Sequence, residues 1–297
     1  MADVIDYLQF VLAPQMVNGL AIGVAVVLVA LGLTIIFGLL DVINMSHGEF
    51  YAVGAYLALS LGAAGVDFWL LLALVPALML VLGYGVERGL IQRVFNTPDR
   101  HVTTLLLTFG LGLVIEDGLK LVYGPNTQRP PTPIPGAVQF LGIFMPNYRL
   151  FLIVFGLGVV GAVALVVFRT RLGAMVRAAA FDRHMAASLG VPVARVYAGA
   201  FAFGVALAGL AGVLLAPIYS VFPTMGRDFI LMAFTVVIVG GMGSIAGAVV
   251  AGLLLTQVQA VASLYVSPVW TDPLVFGIMV LVLMLRPQGL FGRLGRA

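Results

Sequence analysis

The residues best equipped for chemistry sit together in Asp41-Val-Ile-Asn-Met-Ser-His-Gly-Glu49, followed by Phe50, Tyr51, Gly54 and Tyr56. Nine positions hold a carboxylate, an imidazole, an amide and a hydroxyl, between two long apolar runs. His47 and Glu49 have the residue types of an acid–base pair, and a structural hydrogen-bonding role is the alternative. Glu116-Asp117, with Lys120 one turn later, is a second acidic group inside an apolar run. Its spacing permits an ion pair on one helix face, and the expectation is a solvated helix end. A further interruption, Gly240-Gly-Met-Gly-Ser244, breaks another apolar stretch after about a dozen residues.

Several familiar chemistries are excluded. With no cysteine there is no disulfide, thiol nucleophile or cysteine-based metal site. His47, His101 and His184 lie in three segments without ligand spacing, and no GxSxG occurs. Lys120 is the only lysine and Leu121 follows it, so the Gly-Lys-Ser/Thr of a phosphate-binding loop is absent. Gly156-Leu-Gly-Val-Val-Gly161 and Gly241-Met-Gly-Ser-Ile-Ala246 match dinucleotide fingerprints in spelling. That fingerprint needs a soluble strand before it and an acidic residue after it, whereas 150–168 is one unbroken apolar run.

The elements that must position these groups follow from composition. Of 297 residues, 62% are hydrophobic and 9% charged, against about 25% charged in an ordinary soluble domain. Such a chain cannot cover its own surface in water. Net charge is +3 with the basic residues scattered, unlike a nucleic-acid surface. Met1 is followed by Asp3 and Asp6 without Lys or Arg, which is not the positive start of a cleaved signal peptide. Apolar runs fall at 15–40, 47–64, 68–86, 102–123, 150–168, 196–218, 229–240, 245–264 and 274–285, the seventh and ninth being short. The fold class expected is all-α, a polytopic membrane protein of about eight to nine segments with interrupted helices, forming a single domain over 1–297. Nine spans of ~20 residues occupy ~180 positions.

Arginine placement orients these segments. Arg88, Arg93 and Arg100 share one connection. Arg169, Arg171, Arg177, Arg183 and Arg195 share another, and Arg286, Arg293 and Arg296 lie near the C-terminus. The positive-inside rule puts these in the cytoplasm, with the N-terminus outside and the C-terminus cytoplasmic. Lys120, Arg129, Arg149 and Arg227 fall on connections of opposite parity. The external connection 124–149 holds six prolines, which forbids helix and gives an extended, stiff loop. It reads as a spacer or as a platform for an external partner. Gly19/Gly23, Gly85/Gly89, Gly243/Gly247, Ala208/Gly212 and Ala248/Gly252 have the small-xxx-small spacing of close helix packing.

Polar side chains at bilayer depth must face a bundle interior or a wet cavity. Both interruptions read as helix–break–helix, and paired breaks in two halves point to inverted repeats around a central path. Alternatively, each break is a tight turn whose polar groups cap helix ends. Residues 169–195 are the one long polar stretch with helical character. Leu172, Met175, Ala178, Ala179, Asp182, Met185, Ala186 and Leu189 form one stripe of a short helix, stopped by Gly190 and Pro192. A largely alanine stripe suits docking into a cleft of a cytoplasmic partner; a helix lying flat on the membrane is the alternative.

Ile43-Asn-Met-Ser-His-Gly-Glu-Phe-Tyr-Ala-Val-Gly-Ala-Tyr56 resembles the Asn-x-x-His-Gly-Glu signature of branched-chain amino acid ABC importer permeases of the LivH type. Arg177-Ala-Ala-Ala-Phe-Asp-Arg-His-Met-Ala-Ala-Ser-Leu-Gly190 resembles the family's ATPase-coupling loop. Residues 233–248 and Arg286-Pro-Gln-Gly-Leu-Phe-Gly292 resemble its C-terminal half. Phe181 departs from the Glu that members often carry before the coupling aspartate.

The resemblance implies a multi-pass permease of the bacterial inner membrane, translocating branched-chain or related amino acids by ATP-driven alternating access. It implies a second homologous permease, two cytoplasmic ABC ATPases carrying ATP and Mg, and a periplasmic substrate-binding protein. The chain itself then holds no cofactor, binds no nucleic acid and catalyses no bond chemistry. Arg177, Ala178, Ala180, Asp182, Met185, Ala186, Leu189 and Gly190 would meet the ATPase. Asn44, Ser46, His47, Gly48, Glu49, Tyr51, Gly240, Gly241, Gly243 and Ser244 would line or brace the pathway. Urea and short-amide permeases share these motifs. An ion-coupled secondary transporter using Glu49 and His47, or an intramembrane enzyme with that pair, are the readings from other classes.

Overall fold

Each apolar run becomes a helix in the computed structural model, which describes residues 7–292 except 96, 98, 141 and 142. The expectations resting on Asp3, Asp6, Arg293 and Arg296 lie outside the described residues. After a π-helical turn at Leu8–Leu12, the long helices are α1 (Ala13–Leu40), α2 (His47–Ala63), α3 (Phe68–Val86) and α4 (Arg100–Tyr123). They continue, past a short polar pair, as α5 (Asn147–Arg169), α8 (Val193–Tyr219), α9 (Met225–Gly240), α10 (Ile245–Ala262) and α11 (Pro268–Leu285). The polar pair is α6 (Arg171–Phe181) and α7 (Arg183–Ser188). Local signals set the ends. Asp67 accepts from the Trp69 N–H to start α3, and Thr170 and Ser244 cap α6 and α10 in the same way.

Five helices are long and apolar enough to cross a membrane: Leu8–Leu40, Phe68–Val94, Asn147–Arg169, Val193–Tyr219 and Ile245–Ala262. Of the other four expected crossings, α2 has 17 residues and α9 has 16. The fourth helix carries Glu116, Asp117 and Lys120, and Val269–Leu285 is a shorter apolar helix.

The expected 124–149 connection is helix-free as far as Pro146, as its prolines require, while 147–149 already belong to α5, and it is not a featureless extended loop. Beyond the last clustered proline, Ala137–Phe140 (β1) and Ile143–Pro146 (β2) form an antiparallel hairpin in register Ala137 to Pro146. Apart from Pro146 at the strand end, those residues retain the N–H donors that the preceding prolines lack. The same connection is tied to the bundle where β2 packs on α1 and α5 and where the backbones of Gln128 and Val221 exchange hydrogen bonds of 2.8 and 2.7 Å.

Two helices make the core. Within their most apolar 18-residue windows, α1 is 83% buried and α8 is 89% buried, so protein rather than lipid surrounds both. They run antiparallel, Gly32 packing on Gly204 while Gly38 to Asp41 face the cavity that Tyr197 also lines. Around them the packing repeats with halves exchanged. The third helix covers α8, with Gly83 on Ala202 and Val205 and Gly209 on Met79. Likewise α10 covers α1, with Gly19 on Ala260 and Gly23 on Thr256. Helix α2 packs on α8 as α9 packs on α1, while α4 flanks α2 as α11 flanks α9. Gly85 and Gly89, the other helical GxxxG pair, meet nothing in this chain.

An inverted repeat of this kind is what the sequence suggests, but the pairing of its breaks differs. The counterpart of 41–46 is 220–224, between α8 and α9, and not Gly240–Ser244. Asp41 (φ 52°) and Ser220 (φ 66°) end the two core helices and are the only non-glycine residues with positive φ among those described. Downstream, Gly48-Glu49-Phe50 is echoed by Gly226-Arg227-Asp228-Phe229. Gly240–Ser244 corresponds instead to the plain turn between α2 and α3.

Candidate functional site

The first break leaves α1 through Asp41, whose left-handed backbone turns the chain while its N–H still donates to the Phe37 carbonyl (2.9 Å). Residues 42–46 then return beside α1, bringing His47 level with Val29 and Gly32. His47 Nε2–H donates to the Val29 carbonyl oxygen at 3.1 Å. Asn44 Oδ1 accepts from the Ser46 hydroxyl (2.7 Å) and the Ser46 N–H (3.2 Å), and Met45 N–H donates to Thr108 Oγ1 (3.1 Å). Asn44, Ser46, His47 and Tyr51 are fully buried and Glu49 nearly so.

This cluster is only partly satisfied. Among the described residues, Asn44 Nδ2, His47 Nδ1, Glu49 Oε2 and the Tyr51 hydroxyl find no hydrogen-bond partner. Buried polar groups are paired in the great majority of cases, so four exceptions within eight residues mark this segment as unlike ordinary core.

What the cluster faces is α9. Gly48 lies on the Gly226 carbonyl and Ile230, leaving no room for a Cβ. The Glu49 carboxylate rests against Gly226, and the Tyr51 ring stacks on Phe229 with centroids 4.1 Å apart. The N-terminal turns of the two repeat-related helices therefore meet each other. Two glycines permit the approach.

Gly240, Gly241, Gly243 and Ser244 are elsewhere, beside the end of α1, with Gly243 against Gly38. Here the capping reading fits. Ser244 Oγ accepts from Gly247 N–H (3.1 Å), and Gly241 and Gly243 take positive φ. The C-terminal stretch closes the turn, as Leu290 N–H and Phe291 N–H donate to the Val239 and Gly240 carbonyls (2.8 and 3.0 Å).

The acidic pair on α4 also differs from expectation. Lys120 Nζ does bind Glu116 (2.7 Å) and Asp117 (3.1 Å), but Glu116 is buried and also binds Arg227 of α9 (2.5 Å). It is an inter-helix clamp rather than a solvated end. Arg227 was legible only as a stray basic residue; its counterpart position beside Glu49 in the internal repeat is the signal that identifies it. Asp228 and Asp272 are a further pair not marked by the sequence, lining a cavity of about 210 Å³ with Ile22, Phe229 and Phe276.

The polar stretch 169–195 forms two helices, not one. Asp182 divides them because its carboxylate accepts from the His184 and Met185 N–H groups (2.8 and 3.0 Å), starting α7 afresh. Those two donors hold its carboxyl below the usual carboxylate range. Gly190, with φ 84°, ends α7 ahead of Pro192 as expected.

The expected stripe consequently splits. Ala179 and Ala186 are buried against the chain itself, while Leu172, Phe181, Met185 and Leu189 are 66, 81, 61 and 79% exposed. Large apolar side chains, more than alanine, form the outward surface, together with Ala178 and Gly190. Ala180 lies half-buried. Arg177 is exposed, and its guanidinium donates to the Val167 carbonyl and lies 5.9 Å over Phe168.

A bundle of long apolar helices, with a polar break inside it and a short apolar-faced helix pair at one end, defines a multi-pass membrane protein. A sequence profile described as "Branched-chain amino acid transport system / permease component" matches residues 15–284, and the chain belongs to that family. It is 31% identical over 309 aligned residues to the high-affinity branched-chain amino acid transport system permease protein BraD of Pseudomonas aeruginosa, covering 99% of this chain and 98% of BraD. It is 33% identical to the LivH permease protein of Escherichia coli K12 (94% and 95% covered) and 26% identical to the LivM permease protein of that organism (89% and 67% covered). No solved structure gives a significant match.

Proposed function

We propose that this chain is one permease subunit of an ABC importer that carries branched-chain or related amino acids across the bacterial inner membrane. The names of BraD and LivH support the substrate class over nearly the whole chain. That one organism has both LivH and LivM, each similar to this chain, supports a second, related permease as membrane partner. On this reading ATP and Mg belong to two cytoplasmic ATPases, and a periplasmic protein delivers the solute.

The nine long helices are nine crossings. The arginine-rich end with α6 and α7 is cytoplasmic, the proline-rich connection is periplasmic, and the termini lie outside and inside respectively. The single observation that carries the mechanism is the outward apolar surface of Leu172, Phe181, Met185 and Leu189 around the Asp182 cap. A solvent-facing apolar patch of this kind marks a protein interface, and a transporter working alone has no use for it. ATP binding draws the ATPases together and moves α6 and α7 with them. The membrane subunits then change between outward and inward access, as ATP favours one state over the other. The meeting of the α2 and α9 N-termini is where the core parts, exposing Asn44, His47, Glu49 and Tyr51 to water and solute.

Purification of the membrane complex, identification of its co-eluting chains and leucine binding by the external subunit test this reading. ATPases and a second permease are expected. Vesicles holding this chain alone and concentrating leucine against its gradient overturn it in favour of a secondary transporter. Uptake of urea or short amides with no leucine uptake redirects the substrate within the same family.

A further inference from the structure

Between the polar helix pair and the bundle lies a cavity of about 590 Å³, lined by Gly38 to Asp41, Phe95, Thr97, Arg100, Ala179 to Phe181, Arg183 and Tyr197. Across that space runs one ring. Phe95 has the Arg183 guanidinium 5.8 Å from its centroid and the Arg100 guanidinium 5.3 Å from it, while the Tyr197 ring meets its edge at 5.5 Å. Arg100 goes on to Asp41, with Nη2 3.5 Å from Oδ2, and His101 Nε2 lies 3.8 Å from the same oxygen.

We propose that Phe95 is a positioning residue: clasped between Arg183 and Arg100, it transmits displacement of α7 to Asp41, the left-handed residue that opens the first break. This inference rests on the docking role given above to α6 and α7. Three observations support this route. Arg183 is the first residue of α7, immediately after the Asp182 hinge, so it moves with α7 rather than with α6. Ala179 and Ala186 pack the pair against the bundle, and the contact that spans the cavity is a guanidinium over an aromatic face, which is attractive and tolerates sliding. Asp41 holds a left-handed backbone that few residue types other than glycine, asparagine and aspartate adopt, and Arg100 tethers its side chain at that turn. The pair also touches the bundle elsewhere, α6 on α1, α5 and α8 and α7 on α8, so the variants below isolate the share that passes through Phe95.

The test uses the complete membrane complex carrying Phe95→Leu, Phe95→Tyr, Asp41→Asn and the Phe95→Leu/Asp41→Asn double variant. Readouts are ATPase co-elution, ATP turnover, and radiolabelled leucine taken up per ATP hydrolysed. The leucine variant is expected to keep its ATPases and its ATP turnover while leucine per ATP falls at least five-fold. Tyrosine, which restores the aromatic face, is expected to recover more than half of it. The double variant is expected to be no worse than the poorer single one, because the two residues act in one chain of contacts. Normal leucine per ATP in Phe95→Leu, losses that multiply in the double variant, or loss of the ATPases from Phe95→Leu each overturn the proposal. Absence of ATPases from the unsubstituted complex instead overturns the docking role itself.

Discussion

Glu116 on α4 and Arg227 on α9, 111 residues apart in sequence, meet at 2.5 Å, and the glutamate is the buried partner. Removing one member of a buried pair leaves an uncompensated charge, but Lys120 remains beside Glu116 and Arg227 is more than half exposed. Arg227→Gln is therefore expected to cost about 1–2 kcal/mol, between the values for exposed and fully buried pairs. Thermal unfolding of the detergent-solubilised protein checks this. An unchanged midpoint removes the clamp from the account.

Gly48 admits no side chain, since a Cβ would enter the Gly226 carbonyl and Ile230. Gly48→Ala is expected to destabilise by about 1–3 kcal/mol, the usual range for forced overpacking. The yield of monodisperse protein on size exclusion, beside an alanine control at Gly118, where an added Cβ meets nothing within 4 Å, measures it. Equal yields would show that the two helix starts are not in contact.

The Asp182 cap carries a pH sign. Its carboxyl titrates below its unfolded value of ~3.9. The stabilisation is thus fully present above that value and lost only as pH falls through the lower folded value. ATPase retention should be flat from pH 5 to pH 8. Asp182→Ala should lower retention about ten-fold in a pull-down, and Asp182→Asn, which still accepts both N–H bonds, should keep most of it. Met185→Glu, which charges the outward face without touching the cap, should lose the ATPases as well.

Gln128 meets the second break through its backbone alone. Gln128→Ala should therefore be silent, while Gln128→Pro deletes one donor and should weaken the bridge by about 1 kcal/mol. Exchange protection of the Val221 amide reports the difference. Similar exchange in both variants would mean the bridge is not formed.

A chain without cysteine lends itself to orientation mapping. Cysteine placed at Asn126 should react with an impermeant reagent only from the periplasm, and at Ser188 only from the cytoplasm. The reverse pattern would invert the topology.

Much of this architecture was legible in the residues. Most helix ends fall within a few positions of the apolar runs, whereas the two runs read as short, 229–240 and 274–285, extend upstream to Met225 and Pro268 through residues that the apolar count leaves out. The agreement follows because a long helix facing lipid must be apolar over most of its length. The polar break at 41–46 was legible for the same reason. The split at Asp182 was not, since helical periodicity continues through it and only the capping geometry interrupts the helix. Nor was the true partner of the first break, because 220–224 carries no glycine run, while Gly240–Ser244 does and is merely a turn. Arg227 and the stack of Tyr51 on Phe229 depend on how two distant segments meet, which spacing along one chain does not report.

The interleaving of the halves also bears on how the chain is made. Helix α1 leaves the ribosome first, yet α8 and α10, which enclose it, come more than 150 residues later. During most of translation its glycine-bearing faces stand open to lipid or to the insertion machinery. A truncated product would therefore be left with its central rod uncovered, a natural mark for quality-control proteolysis.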